Sequence, residues 1–311
     1  MVQDPLEGMF SLFLVIFLKT HTHTQVVTFA ARWGGESCSF ESEMSSGRLK
    51  SSQTSSSPPL HSAKGTGEKF WKYRVEVDRG KKRLKLKGRE LLSVPREIFD
   101  LGELQVLEMS PERESCLSYK IGGVPRALGR LSNLTVLRLD TNELREIPPE
   151  IGALHKLETL TLSNNRLSRL PAEAERLQRL RNLHLANNNF QELPLQVCQL
   201  RRLSFLDASD NKIETIPACI GNLERLETLL LCFNALQSLP DSICTLGRLC
   251  TLWLGKNQLR RLPSQFGQLA NLEWGRSHCS SNFEDNPLES PPPEICRGGP
   301  EEISRYFAGV E

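Results

Sequence analysis

The sequence lacks an excess of charge of either sign, with 39 lysines and arginines against 37 aspartates and glutamates in 311 residues. A net charge of +2 gives no global reason to expect a nucleic acid or a membrane surface as partner, so either would need a local patch. The sequence also lacks a phosphate-binding glycine loop, the ligand spacing of a zinc site and a GTPase module. We therefore expect no enzyme, no catalytic residues, no metal and no cofactor.

An apolar run long enough to cross a bilayer as a helix is also missing, because Met9–Leu18 is too short. Its length suits the centre of a secretory signal, and small residues follow at Ala30-Ala31. However, Asp4 and Glu7 stand where such signals carry positive charge. We expect no stable membrane insertion, and a secreted or membrane-tethered protein directed by Met9–Leu18 is the alternative. The glycosylation sequon at Asn133 would matter only in that case.

What the sequence does contain is a 23-residue unit that recurs from Leu137 to Leu269 and reads L-x-L-x-x-N-x-L-x-x-L-P-x-x-I-G-x-L. Prolines such as Pro148 and Pro171 keep the same step as the asparagines. A fixed step of this length indicates stacked structural repeats rather than a single globular core. The asparagines, called the ladder below, are Asn142, Asn165, Asn188, Asn211, Asn234 and Asn257.

Each fixed position of the unit has a physical role. Leucines two apart, such as Leu160 and Leu162, point to one side of a short strand, so stacked units form a parallel sheet. The asparagine amide can donate and accept, so it can pair backbone groups that would otherwise be buried without partners. The proline then prevents a second sheet strand and favours a short helical or extended return.

This pattern resembles the leucine-rich repeats of the cytoplasmic Ras-suppressor, Scribble and Erbin type, over roughly Leu84 to Phe307. The resemblance implies an α/β fold, a curved leucine-rich repeat solenoid. The parallel β-sheet would line its concave face, and short helical or extended segments would form its convex face.

The nine cysteines are an odd number, and Cys198, Cys219, Cys232, Cys244 and Cys250 lie inside repeats. They stand at or beside positions that other units fill with glycine, isoleucine or small residues, which is typical of buried apolar groups. Secreted leucine-rich proteins usually close the ends of the stack with disulfide clusters, and neither end of this array carries one. We therefore expect a reducing compartment and a cytoplasmic location.

The chain divides into four parts on composition and repeat phase. We expect disorder over 1–66, because the polar, serine-rich stretch there shows no periodicity; this part is also a possible atypical leader. An N-terminal hairpin and capping repeat follow over 67–101, and the repeat array covers 102–285. The C-terminal cap covers 286–311, with a short helix that opens at Gly299-Pro300 and places Ile303, Tyr306 and Phe307 over the last coil.

Two insertions interrupt the array. The interval from Pro95 to Pro125 is 30 residues and that from Pro263 to Pro292 is 29, against the regular 23. The surplus lies near 111–117 and near 275–280, where we expect surface loops.

We select as candidate binding residues those whose side chains are expected to face the concave surface of the sheet. A polar zone includes Arg138, Asp140, Thr161, His184 and Asp207, and an apolar zone includes Phe205, Leu230, Phe233 and Trp253. Aromatic residues on an exposed face are typical of protein interfaces, so we interpret these nine residues as the partner-binding surface.

Other interpretations stay open. The apolar residues could pack only against one another across strands, and Phe233 could point inward. His184, Asp207 and Ser209 or Ser163 have the residue types of a nucleophilic triad, but the sequence shows no oxyanion site to accompany them. The basic run Arg79–Arg89 could bind anionic lipid or direct nuclear import, but it is better interpreted as a solvated hairpin face.

These observations together predict a non-catalytic scaffold or regulator in intracellular signalling that binds a protein partner on its concave face. The resemblance implies a small GTPase, a phosphatase complex or a cytoskeletal protein as partner. We expect no nucleic acid partner and a monomeric solenoid. The alternatives are the secreted or tethered protein above and an accessory subunit of an enzyme complex.

Overall fold

The computed structural model describes residues 12–20, 23–31, 75–86, 91–92, 94–111, 119–274 and 281–309. The chain divides into two compact units, Met1–Lys64 and Gly65–Glu311. The insertion expected near 275–280 lies outside the described residues, as does the one near 111–117 apart from Pro111. Within the described part, no helix has the length and apolar character that crossing a membrane requires.

The first unit contains an antiparallel hairpin formed by β1, Leu12–Thr20, and β2, His23–Ala31. Disorder is expected from the sequence throughout 1–66, so the structure differs from that expectation in these two strands. Both strands are rich in β-branched and aromatic residues, which favour an extended backbone. Most of the apolar run Met9–Leu18 therefore lies in a strand.

Nine strands of the second unit form one sheet in chain order. The first two are antiparallel and join at a turn in which Arg79 and Gly80 have positive φ, and all later neighbours are parallel. From β5 onward each strand has three residues, and the second leucine of the repeat, or the residue that replaces it, follows the strand directly. The strands are β3 Glu76–Asp78, β4 Lys81–Lys85, β5 Val106–Glu108, β6 Val136–Arg138, β7 Thr159–Thr161, β8 Asn182–His184, β9 Phe205–Asp207, β10 Thr228–Leu230 and β11 Thr251–Trp253.

The return side of the coils consists of short 3-10 helices, most of which begin directly after the repeat proline. Glycine in the Ile-Gly pair lets neighbouring helices approach closely, since a Cβ at Gly152 would lie 2.6 Å from the carbonyl oxygen of Glu173. The helices are Arg96–Asp100, Arg126–Arg130, Pro149–Ala153, Ala172–Arg176, Leu195–Gln199, Ala218–Asn222, Asp241–Thr245 and Phe266–Gln268.

The asparagine ladder runs through the interior of the stack. The Asn188 Nδ2 donates to the carbonyl oxygen of Leu185 in its own coil at 3.0 Å and of Leu162 in the preceding coil at 2.9 Å. Its Oδ1 accepts from the backbone N–H of Leu167 at 3.0 Å. All six predicted members make equivalent bonds, and Asn286, which the 23-residue step does not reach, makes them as well. The ladder therefore joins each coil to its predecessor at two backbone groups and pairs a third within its own coil.

The last coil is covered by α1, Pro293–Arg297, and α2, Pro300–Phe307. Gly299 precedes α2 with φ +87°, a conformation that favours glycine, and it packs against Trp274. Ile303 is fully buried and Phe307 packs against the core, but Tyr306 is exposed. The expectation that Tyr306 covers the core is therefore wrong. As the helix turns, Tyr306 faces solvent, and its hydroxyl lies 3.5 Å from Ser290 Oγ.

We expect Asn188→Ala to lower the free energy of unfolding by about 1–3 kcal/mol, because it leaves buried backbone groups of two coils without partners. Urea unfolding followed by circular dichroism measures this loss. Gln191→Ala, which removes an exposed amide from the same repeat, is the control and should change stability by much less. Equal effects of the two substitutions would contradict a structural role for the ladder.

Candidate functional site

The strand register places the last residues of successive strands side by side on the concave face. These residues are Lys85, Glu108, Arg138, Thr161, His184, Asp207, Leu230 and Trp253. Six of the nine predicted binding residues lie in this column, and Phe205 lies two residues before Asp207 in β9. Asp140 and Phe233 follow β6 and β10, one and two residues after the second leucine of their repeats. The fold thus gathers the predicted residues on one face of the sheet.

A charge cluster at the first strands contains one predicted residue, Arg138, and three that were not predicted, Arg83, Lys85 and Glu108. Glu108 is buried, and its carboxylate contacts Arg83 Nη2 at 2.6 Å, Lys85 Nζ at 3.0 Å and Arg138 Nη1 at 4.0 Å. Burial alone would raise the pKa of the Glu108 carboxyl, but hydrogen bonds from Lys85 and Arg83 outweigh it and hold the pKa below its usual value. The alternating charges of Lys85, Glu108 and Arg138 in one column are the sequence signal that could have revealed this cluster.

Two of the predicted polar residues bind each other. The Thr161 hydroxyl donates to Asp140 Oδ2, and the backbone N–H of Ser163 donates to Asp140 Oδ1 at 2.8 Å. Burial raises the pKa of the Asp140 carboxyl, and both hydrogen bonds act in the opposite direction. Asp140 therefore has its hydrogen-bonding partners within the sheet, which leaves less of its capacity for another molecule.

His184 packs against Phe205 in the next strand, with ring centroids 4.7 Å apart. Burial, with a smaller contribution from the charge of Arg138, lowers the pKa of His184 to about 4, so this imidazole is neutral near pH 7. The Asp207 carboxylate accepts from the Ser209 backbone N–H at 3.0 Å, a bond within its own coil. These contacts make His184 part of an aromatic surface. They do not support the triad interpretation.

Asp207 and Leu230 are far less accessible than predicted. These residues are only 7% and 4% exposed, respectively. The flanking strands carry the rings of His184 and Trp253 in the same column, and strands about 4.8 Å apart leave little room for solvent between them. The expectation that both residues are open on the surface is therefore wrong.

Phe233 points outward, so the alternative in which it lies in the core is excluded. It is 37% exposed, and the Lys256 Nζ lies 4.8 Å from the centre of its ring. Its backbone has a φ of +57°, in the left-handed region that favours glycine, asparagine and aspartate. Other coils place Thr141, Asn164, Asn187, Asp210 and Lys256 at this position, all with positive φ.

The buried Asp207 makes stability depend on pH. Burial raises the pKa of its carboxyl, although hydrogen bonds from Ser209 oppose the rise. A raised folded-state pKa means that the native state holds this proton more tightly than the unfolded chain, whose aspartates titrate near about 3.9. The contribution to stability is therefore complete below that value and is lost as the pH rises through the folded pKa.

We expect Asp207→Asn to be more stable than the natural chain at about pH 7, with a gain that shrinks toward about pH 4. Asparagine removes the buried charge and keeps an oxygen that can accept from Ser209. Urea unfolding of both proteins across this pH range measures the difference, and Glu214→Gln, at an exposed carboxylate, is the control. A gain that is the same at every pH would argue against a buried charged Asp207.

Comparison with known proteins agrees with this architecture. The family described as leucine-rich repeat region matches residues 160–234 and 195–286. No curated protein matches the chain. A solved leucine-rich repeat protein of Leptospira interrogans is 35% identical with a TM-score of 0.61, over 69% of this chain and 52% of that one.

Two further structures extend the comparison. The leucine-rich repeat ectodomain of the plant membrane receptor kinase GASSHO1/SCHENGEN3 from Arabidopsis thaliana is 32% identical with a TM-score of 0.54, over 66% of this chain and 23% of that one. Internalin C2 from Listeria monocytogenes is 21% identical with a TM-score of 0.52, over 65% of this chain and 80% of that one. At this level of identity the likeness shows the fold alone. The chain thus spans about half of the Leptospira protein and about a quarter of the plant ectodomain. On its repeats, its sheet and these likenesses, the chain folds as a leucine-rich repeat solenoid.

Proposed function

We propose that this protein is a non-catalytic interaction module that binds a protein partner on the concave face, as a scaffold or regulator in intracellular signalling. The observation that carries the proposal is Phe233, a half-exposed aromatic ring held by a left-handed backbone. Phe205 and Trp253 lie on the strands to either side of its coil and extend the aromatic surface across three coils.

Phe233 strains the backbone of its coil, and its exposed ring contacts Lys256 on the surface. A bulky residue in the left-handed region is strained, whereas the asparagines at the same position, Asn164 and Asn187, fit that backbone. Strain of this kind is concentrated at functional sites. An exposed aromatic side chain is also the type that contributes most to binding energy at protein interfaces. Contact with a partner accounts for both properties of Phe233.

The plant ectodomain supports a protein or peptide as partner, since it was solved in complex with CASPARIAN STRIP INTEGRITY FACTOR 2. The resemblance to Ras-suppressor, Scribble and Erbin repeats favours a small GTPase, a phosphatase complex or a cytoskeletal protein. Because the chain spans only part of the plant ectodomain, the partner of that receptor does not identify the partner of this chain.

A cytoplasmic location is part of the proposal. It rests on the L-P-x-x-I-G-x-L resemblance and on six cysteines of the described part that are free thiols. The apolar run Met9–Leu18 and the ectodomain likeness favour the second candidate, a secreted or tethered protein.

The two locations differ in one measurable property, the glycosylation of Asn133. For the cytoplasmic protein we expect no shift in electrophoretic mobility after glycosidase treatment of the full chain expressed in mammalian cells. Asn133→Gln serves as the reference for unmodified chain. A shift that this substitution removes would replace the cytoplasmic proposal by the secreted one.

We expect Phe233→Asn to stabilise the fold by about 1–2 kcal/mol, because asparagine tolerates the left-handed backbone, and yet to lose the partner. Urea unfolding measures the first effect. Quantitative mass spectrometry of proteins captured by the full chain measures the second, with recovery falling about tenfold or more.

The matched control is Thr141→Asn, which relieves the same backbone conformation at the equivalent repeat position, four coils earlier in the array. It should gain similar stability and keep the partner. Leu230 is unsuitable for such a test, because a polar residue at this buried position would disturb folding. Retention of all partners by Phe233→Asn would contradict the proposal.

A further inference from the structure

Five coils in succession carry a cation at one exposed position, three residues before the strand begins. Each residue is 23 positions from the next, so the stack brings them into a line along the edge where β7 to β11 start. This arginine column consists of Lys156, Arg179, Arg202, Arg225 and Arg248. It provides a local basic patch that the near-neutral net charge conceals.

The fold does not need cations at this position. The coil before the column and the coil after it carry Asn133 and Asn271 at this position. Each amide donates to a backbone carbonyl of the preceding coil. The bonds run from Asn133 Nδ2 to the oxygen of Gly102 at 2.7 Å and from Asn271 Nδ2 to the oxygen of Gly247 at 2.6 Å. An asparagine that joins adjacent coils is therefore available here, and the four coils that carry arginine do without it.

The arginines of the column serve no evident structural purpose in place of that bond. Lys156 Nζ donates to Asn133 Oδ1 at 2.7 Å, but the four arginines form no ion pair within the described part of the chain. Coils about 4.8 Å apart place like charges next to one another over a line of about 19 Å. Such a line repels itself unless an anion occupies it.

We propose that the arginine column binds an extended acidic segment of a partner protein. Guanidinium groups present two parallel N–H donors to a carboxylate, which favours arginine over lysine for this contact. An extended segment rises about 3.3 Å per residue, so about six residues span the column. This surface lies at the start of the strands, whereas Phe233 follows the end of one, so the inference does not depend on the concave aromatic surface.

The neighbouring columns favour a peptide over a nucleic acid or a membrane. Glu224 and Glu227 stand beside Arg225 and would lie under a continuous phosphate backbone or a plane of headgroups. Acidic side chains on flexible stems can instead reach the guanidinium groups one at a time. The positions directly beside the column also hold no Phe, Tyr or Trp on which bases could stack.

The experiment measures binding of a fluorescein-labelled peptide of about eight glutamates to the full chain by fluorescence anisotropy. The test variant combines Arg202→Asn, Arg225→Asn and Arg248→Asn, which installs the residue that the chain itself uses at Asn133 and Asn271. The control variant combines Arg145→Asn, Arg169→Asn and Arg261→Asn, three exposed arginines outside the column with the same change in charge.

We expect the test variant to bind the peptide about tenfold more weakly or worse, and the control to stay within about twofold of the natural chain. Binding should also weaken as ionic strength rises from about 0.01 M to about 0.15 M. Circular dichroism should show that both variants are folded. If the triple variant fails to fold, the single changes Arg202→Gln and Arg225→Gln provide the same comparison with Arg169→Gln.

Three outcomes would overturn the inference. Equal losses in the test and control variants would mean that net charge alone attracts the peptide. No binding by the natural chain at low ionic strength would exclude an acidic segment. Tighter binding of single-stranded RNA or of phosphatidylserine vesicles, lost in the test variant, would assign the column to a different partner. None of these results bears on Phe233, so they leave the proposed concave surface unaffected.

Discussion

The structure depends on pairing the backbone groups that stacking would otherwise bury without partners. The three-residue strands pair only some of the backbone N–H and carbonyl groups of each coil, and the chain turns inward directly after them. At that turn the ladder asparagine accepts one N–H and donates to carbonyl oxygens of its own coil and the preceding one. Because unpaired buried groups are costly, this one residue fixes where each coil ends and how it meets its neighbour. The parallel sheet and its register follow from that constraint.

Because the same unit recurs in every coil, each surface residue can be compared with the residues that other coils carry at the equivalent position. Phe233 stands out because its five counterparts are asparagine, aspartate, threonine or lysine on the same left-handed backbone. The arginine column stands out because Asn133 and Asn271 show what the coil can gain at that position. In both cases the comparison comes from within the chain, and it separates residues kept for the fold from residues that the fold does not require.

The sequence predicted the framework well, because its periodicity reflects a local physical role at each position. The sheet order and the concave placement of Thr161, His184 and Trp253 follow from a single 23-residue step. The exposure of individual residues could not be predicted from the 23-residue step, because exposure depends on the sizes of side chains in the flanking strands. Leu230 and Asp207 are therefore buried at positions where the pattern alone predicts exposure. Asn286 escaped prediction because the insertion before it shifts the step to 29 residues.

Local costs are tolerable in this architecture because stability is close to a sum over coils and their contacts. The left-handed backbone of Phe233 and the buried carboxylate of Asp207 are two such costs, and they lie in adjacent coils. Each coil still keeps a buried apolar core and its ladder asparagine, Asn211 and Asn234, so neither cost disrupts stacking. Two unfavourable features with different physical causes coincide beside the aromatic surface of Phe205 and Trp253. Their coincidence is consistent with the proposed contact with a partner at this part of the concave face, since costly features are concentrated at functional sites.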